Sequence, residues 1–123
     1  MSKLDEIIQQ VRVELGSDFV STDIVGTDGL SIAGGAMDPN FDNTEATARY
    51  AMVMKLASKV GDKLVLGTVD ENLTTTDKFM ILTHLLGDGS YFWEMVIGKD
   101  ATLGSVRIMM NEYAPKLWNA IPH

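Results

Sequence analysis

The sequence predicts an α+β fold in which helices pack on a five-stranded antiparallel sheet, with the elements in the order α-β-β-α-β-β-β-α. Apolar residues recur at helical spacing in three separate segments, segments rich in β-forming residues lie between them, and glycine-containing turns separate neighbouring strands. The 123 residues are 46% hydrophobic and 22% charged, which is typical of one globular domain. We therefore expect a single domain over residues 1–123.

The first helix is predicted by apolar residues at intervals of three and four, namely Leu4, Ile7, Ile8, Val11 and Leu15. Ser2 is placed to cap it, and Asp5 and Glu6 favour its positive N-terminal end. Gly16 is expected to end it. A β-hairpin follows, with strands over residues 19–25 and 30–33 joined by an Asp-Gly turn at 28–29 and ended by the glycine pair at 34–35.

The central helix is predicted to begin at Asp42, because Asp42 and Glu45 have the three-residue offset of a capping box. It should end near Val60, with Gly61 just beyond its end. The stripe expected to face the sheet comprises Ala46, Tyr50, Val53, Ala57 and Val60.

A second apolar group on this helix falls outside that stripe and comprises Ala48, Met52, Met54 and Leu56. The helix is thus apolar around more of its circumference than one-sided burial explains. Met52 and Met54 serve either as interface residues or as adaptable core filling. We expect another surface to cover this second face.

Three further strands are predicted as an antiparallel meander over residues 63–70, 78–86 and 91–98, with a tight hairpin at 87–90. The first carries Leu64, Val65, Leu66 and Val69, an apolar edge that would invite aggregation if it stayed unpaired in water. The last helix should begin at Thr102 and be kinked or restarted at Pro115. Trp118 and Ile121 are expected to close the core.

The composition excludes several classes of function. A formal net charge of −7 opposes binding to nucleic acid or to anionic lipid. Cysteine is absent, which excludes thiol redox chemistry and thiolate–metal sites. The N-terminus lacks a signal-peptide pattern, and no apolar run reaches the ~18 residues of a membrane-spanning helix. We expect a cytoplasmic protein that does not insert into a membrane.

Catalytic motifs are also missing from the sequence. His84 could act as a general base or metal ligand in a hydrolase, but it has no HExxH partner and there is no GxSxG elbow. The glycines lack the spacing of a phosphate-binding loop and are typical of turns. We therefore expect no enzymatic activity, cofactor or metal.

Two segments resemble a known family. The sequence VGTDGLSIA at residues 25–33 resembles the hairpin signature of Roadblock/dynein light chain domains, and LGSVR at residues 103–107 resembles the family's opening of the last helix. The order of elements also matches over nearly the whole chain. The resemblance implies a roadblock/profilin-like sandwich that forms a homodimer, with antiparallel central helices and with the first strands of the two meanders joining both sheets.

The resemblance also implies a partner, because family members commonly serve as platforms for small Ras-like GTPases. The bacterial polarity regulators among them stimulate GTP hydrolysis as dimers. Their mechanism would be positional, with the dimer stabilising the switch loops of the GTPase. The residues expected at protein interfaces are Arg49, Met52, Met54, Leu56, Leu64 and Leu66.

Two alternatives stay open at this point. Arg49 could instead form a solvated pair with Glu45, four residues away on the same helix. The chain could also be a small-ligand sensor of profilin-like or PAS-like architecture, which would require a roomy apolar pocket between the sheet and the helices.

Overall fold

The predicted order of elements is confirmed by a computed structural model, which describes residues 2–41 and 43–122. The elements are α1 (Lys3–Leu15), β1 (Phe19–Gly26), β2 (Ser31–Ala36), α2 (Asn43–Lys63), β3 (Glu71–Thr75), β4 (Phe79–Leu86), β5 (Tyr91–Gly98) and α3 (Leu103–Ala120). The five strands form one antiparallel sheet in the order β2-β1-β5-β4-β3. The strands β1 and β5 therefore pair at its centre.

The helices lie on both faces of this sheet. Neighbouring residues of a strand point to opposite faces. Ile24 and Trp93 belong to a large core with α1 and α3, whereas Val25 and Phe92 belong to a smaller cluster with Ala51 and Met54 of α2. The molecule is thus a three-layer sandwich in which α2 covers one face alone.

The predicted boundaries of α1 and the two predicted glycine turns are confirmed. The Ser2 side chain accepts a hydrogen bond from the backbone N–H of Asp5 at 3.1 Å, and the α1 helix ends before Gly16. The β1–β2 turn and the β4–β5 turn use glycine at positive φ, with 87° at Gly29 and 54° at Gly87. Such φ values favour glycine because it has no Cβ.

Two predicted glycine boundaries are wrong. Gly34 and Gly35 lie within β2 instead of ending it. A Cβ atom at Gly34 would lie 2.6 Å from Oδ1 of Asp23, so glycine there makes room for a side chain of the neighbouring strand. Gly61 lies inside α2, which continues to Lys63. The predicted capping role of Asp42 lies outside the described residues.

The prediction of a strand over residues 63–70 is also wrong, and with it the position of Leu64 and Leu66 on a sheet edge. The backbone N–H of Leu66 donates to the carbonyl of Gly61 at 2.9 Å, a bond that closes the end of α2. Gly67 has a φ of 102°, which turns the chain away from the helix. The edge strand therefore begins only at Glu71.

The last helix runs without interruption from Leu103 to Ala120. It includes Pro115, so the expected restart at this residue does not occur. Ile121 is buried and Trp118 packs against the core, as predicted.

Candidate protein-interaction surface

The side of α2 that faces the sheet differs from the predicted stripe. The buried residues of α2 are Thr47, Ala51, Met54 and Gly61, whereas Val53 and Val60 are exposed. On this buried side Thr47 donates a hydrogen bond from Oγ1 to Oε1 of Glu94 on β5, at 2.8 Å. A polar residue on the buried side is hidden from an analysis based on apolar spacing.

This difference from the predicted stripe corrects the assignment of Met54. Met54 is 0% exposed and packs with Val25, Ala51 and Phe92 between α2 and the sheet. Its prediction as an interface residue is therefore wrong, and core filling is its role.

The opposite side of α2 is apolar and exposed. Met52, Leu56 and Val60 follow one another at intervals of four residues, and Val53 lies beside them. The row of exposed apolar side chains continues past the helix into residues 64–66. We call Met52, Val53, Leu56, Val60, Leu64 and Leu66 the outer α2 surface. It contains four of the six residues predicted at interfaces: Met52, Leu56, Leu64 and Leu66.

Charged residues accompany this surface. Arg49 donates from a guanidinium nitrogen to Oε1 of Glu45 at 3.0 Å, and both side chains are exposed. Lys55, Lys59 and Lys63 are exposed at intervals of four residues along the C-terminal half of α2. The solvated Arg49–Glu45 pair is thus the alternative that the structure supports for Arg49.

A pair of buried carboxyl groups lies beneath α2. Asp23 of β1 and Glu94 of β5 are partners in the strand register, and they are 2% and 1% exposed. Asp23 Oδ1 accepts hydrogen bonds from Ser31 Oγ at 2.5 Å and from the Ile24 backbone N–H at 3.0 Å. Sequence reasoning missed this pair, although a lone glutamate in the apolar strand Tyr91–Gly98 is a signal of a buried charge.

Burial raises the pKa values of both carboxyl groups. The pKa of Glu94 rises to about 7, because desolvation disfavours its charged form and Asp23 adds electrostatic repulsion. The bond from Thr47 acts in the opposite direction. Desolvation likewise raises the pKa of Asp23.

His84 lies in a different part of the fold, on β4. Its Nδ1 donates a hydrogen bond to the backbone carbonyl of Leu85 at 2.7 Å. This ring nitrogen is therefore not placed to accept a proton from a nucleophile. A cavity of about 130 Å³ beside it is also lined by Asp70, Glu71 and Arg107. Among residues 2–41 and 43–122, acidic and histidine side chains form no group of three or more that could hold a metal ion.

Two further cavities are open to solvent. One of about 320 Å³ lies between the end of α1 and the start of α3, with Glu14, Asp18 and Ser105 in its lining. Another of about 290 Å³ lies beside Phe19, Met37 and Phe41. Neither is the enclosed apolar pocket between sheet and helix that a ligand sensor would need.

In addition, no helix of the described part of the chain has the length and apolar character to span a membrane.

Comparison with known proteins gives the fold a name. No protein-family model matches the sequence, and no curated protein matches it either. Among solved structures, MglB of Myxococcus xanthus superposes with a TM-score of 0.85 at 13% identity, over 97% of this chain and 94% of that chain. A Roadblock/LC7 domain from Streptomyces avermitilis superposes with a TM-score of 0.75 at 17% identity, over 92% of this chain and 96% of that chain.

The chain has the Roadblock/LC7 fold. A third structure with this fold, described as MglB with tetrameric arrangement, superposes with a TM-score of 0.83 at 12% identity, over 96% of this chain and 87% of that chain. In the present Roadblock fold, residues 25–33 form the β1–β2 hairpin and residues 103–107 open α3. Arg107 of that second segment binds both carboxylate oxygens of Glu71 on β3, with Nε 3.1 Å from each. Each of the two segments that resemble the family thus has a defined structural position.

Proposed function

We propose that the chain forms a homodimer through the outer α2 surface and that the dimer binds a small Ras-like GTPase in the cytoplasm. The dimer would act as a regulator or scaffold that positions the switch loops of the GTPase and so promotes GTP hydrolysis. The protein itself would hold no nucleotide and contribute no catalytic group. The proposal combines the sequence resemblance, the Roadblock fold and the exposed side of α2.

The observation that carries the proposal is the exposed apolar side of α2. Fully burying one side chain such as Met52 or Leu56 contributes about 1.5–3 kcal/mol. Several of these residues lie side by side on one rigid helix, so a partner would bury them together without ordering a loop. A continuous apolar surface of this kind is typical of a protein–protein contact site.

A second copy is the occupant that we infer for this surface. Two α2 helices packed antiparallel would oppose their dipoles, and Glu45 of one copy would approach the lysines at 59 and 63 of the other. The chain segment that leaves α2 leads directly into the edge strand β3. The tetrameric arrangement described for one MglB structure is in keeping with self-association in this fold.

The GTPase half of the proposal rests on the family resemblance. A helical platform made by two copies would offer a broad surface on which the switch loops of a GTPase could be held in one conformation. The solvated pair of Arg49 and Glu45 lies on the same helix and could rearrange toward such a partner. Arg49 would then bind the GTPase surface instead of entering its active site.

Self-association is tested by comparing Leu56→Lys with Ile108→Lys in sedimentation experiments over a range of protein concentrations. Leu56 is 64% exposed on α2 and Ile108 is 71% exposed on α3, so the two changes are matched in chemistry and exposure. We expect the wild type and Ile108→Lys to dimerise and Leu56→Lys to remain monomeric with unchanged circular dichroism. A monomeric wild type at high concentration would contradict the proposal.

The partner is tested by measuring binding to small Ras-like GTPases loaded with a GTP analogue or with GDP. We expect tighter binding to the GTP-like form, and loss of that binding in Leu56→Lys. Binding that ignores the nucleotide state would leave scaffolding and remove the regulatory role. Absence of any GTPase binding by a protein that does dimerise would refute the GTPase half alone.

A further inference from the structure

The buried carboxyl groups of Asp23 and Glu94 are unusual because each leaves one oxygen without a hydrogen bond to any described residue. These oxygens are Oδ2 of Asp23 and Oε2 of Glu94. The two residues face each other in the register of β1 and β5, beneath α2. A buried carboxylate without full hydrogen bonding is costly, and two adjacent ones are costlier still.

No positive charge neutralises the pair among residues 2–41 and 43–122. The buried polar side chains there are Ser21, Thr22, Asp23, Thr47, Thr83 and Glu94, and none of these is a cation. On the neighbouring strands the register continues to Gly34 of β2 and Thr83 of β4, which carry no charge. The strand β2 contains no titratable residue at all.

The helix above the pair contributes no buried charge either. The charged residues described on α2 are Glu45, Arg49, Lys55, Lys59, Asp62 and Lys63, and all are exposed. Tyr50 is the remaining titratable side chain of α2 and is half-buried. A proton is therefore the simplest species that can lower the charge of the pair, because one bound proton removes one of its two negative charges.

The pair is also part of the attachment of α2 to the sheet. Thr47 donates to Glu94 at 2.8 Å, and its polar side chain also acts to lower the pKa of Asp23. The buried apolar cluster described beneath α2 is small and comprises Val25, Ala51, Met54 and Phe92, with Val69 and Leu85 packed against it. A buried hydrogen bond thus joins α2 to the sheet beside this cluster.

We propose that Asp23 and Glu94 share one proton, and that loss of this proton loosens α2 from the sheet. The proton would then act as a latch on the helix that carries the outer α2 surface. The latch concerns the single chain and is independent of dimerisation. Only its consequence for a partner, namely weaker binding at higher pH, rests on the proposed function.

The direction of the pH effect follows from the raised pKa of Glu94. Once α2 has moved away, the carboxyl group is solvated and its pKa returns toward 4.5, compared with about 7 in the closed state. Between these two values the closed state binds more protons than the open state. Closure is therefore favoured at low pH, weakens as the pH rises from about 4.5 to about 7, and changes no further above that range.

Hydrogen exchange of backbone amides in the intact chain tests the latch. Amides of α2 around Ala51 and Met54 are compared at pH 5.5 and pH 8 after correction for the intrinsic exchange rate. We expect their protection to fall about 30-fold, since 1.5 pH units separate pH 5.5 from the pKa of Glu94. Glu94→Gln should make this change much smaller, because the amide cannot ionise and only Asp23 of the pair can still lose a proton.

Glu112→Gln is the matched control, since it removes the same charge from an exposed position on α3. It should keep the pH dependence of the wild type. Unchanged protection of the α2 amides between the two pH values would overturn the proposal. If the amides of β5 alone became less protected, the carboxyl pair would be exposed only when the whole chain unfolds, and the proposal would be wrong in that case too.

A second measurement avoids dependence on the folding of a variant. Carbon-13 NMR of the side-chain carboxyl groups in the wild type should show one ionisation of the pair near neutral pH. Ionisation of both groups below pH 5 would refute the shared proton. The carboxyl titration reports on the pair within each chain whether or not the protein dimerises, so failure of the proposed function and failure of the latch are distinguishable.

Discussion

Gly87 and Trp118 approach each other so closely that a Cβ atom at residue 87 would lie 2.1 Å from Cδ2 of the indole ring. The backbone of Gly87 has a φ of 54°, in the left-handed region. Two separate requirements therefore fix glycine at this turn, one for the backbone and one for space. The contact joins the β4–β5 hairpin to the end of α3.

We predict that Gly87→Ala lowers the free energy of unfolding by about 2–5 kcal/mol, combining backbone strain of about 1–2 kcal/mol with overpacking of about 1–3 kcal/mol. Gly29→Ala is the control, because Gly29 also has positive φ but nothing lies within 4 Å of an added Cβ. It should show the backbone cost alone. Urea unfolding measures the free energy of unfolding of both variants. Equal decreases in the two variants would contradict the role of Trp118.

Glu94→Gln is predicted to stabilise the protein at pH 8 by about 3 kcal/mol and to have little effect at pH 5. The pKa of Glu94 is raised from 4.5 to about 7 in the folded state, so wild-type stability falls as the pH rises through this interval. Glutamine resembles the protonated acid at every pH. Urea unfolding across pH 5–8 measures the difference, and parallel curves for the two proteins would contradict it.

Breaking the ion pair between Arg107 and Glu71 is predicted to loosen the edge strand β3. Arg107 holds Glu71 with a forked contact that lysine cannot reproduce, and β3 is bordered by only one other strand of the described sheet. Arg107→Lys should therefore speed amide exchange around Leu73 while leaving the melting temperature nearly unchanged.

Arg49→Lys serves as its control, because the pair of Arg49 with Glu45 is confined to the exposed surface of α2. This change should leave exchange in β3 as it is in the wild type. Equal effects of the two substitutions on β3 would show that the contact between Arg107 and Glu71 has no specific role.

Val65→Asn is predicted to raise the free energy of unfolding of the monomer by about 1 kcal/mol. Val65 has a φ of 56°, which a β-branched residue adopts at a cost, and its side chain is 88% exposed. Asparagine tolerates the left-handed region and loses little packing at this site. Val13→Asn, at an exposed position within α1, should bring no such gain in chemical unfolding.

Much of the fold could be predicted because local signals and burial agree. The apolar spacing of α1 matches its buried residues, and the Asp-Gly turn at 28–29 forms as expected. The strands β4 and β5 are long apolar segments between clear turns. In these elements the same residues that favour the local structure also fill the core.

The candidate site was harder to predict because some of its residues do not follow the rule that apolar side chains are buried and polar ones exposed. Thr47 is polar and buried, while Leu56 is apolar and exposed. Apolar spacing therefore gave the wrong face for Met54. The buried carboxyl groups could not be paired from the sequence because Asp23 and Glu94 become neighbours only through the pairing of β1 with β5.

The pairing of β1 with β5 also has a kinetic consequence. Trp93 donates from its indole nitrogen to Oγ1 of Thr22 at 2.7 Å, across 71 residues of chain. Long-range contacts of this kind require a large loop to close before they can form, which slows folding. The β1–β2 hairpin and the β3–β4–β5 meander can each form early, because their strands are close in sequence. The pairing of β1 with β5 can form only after these two distant parts of the chain have met.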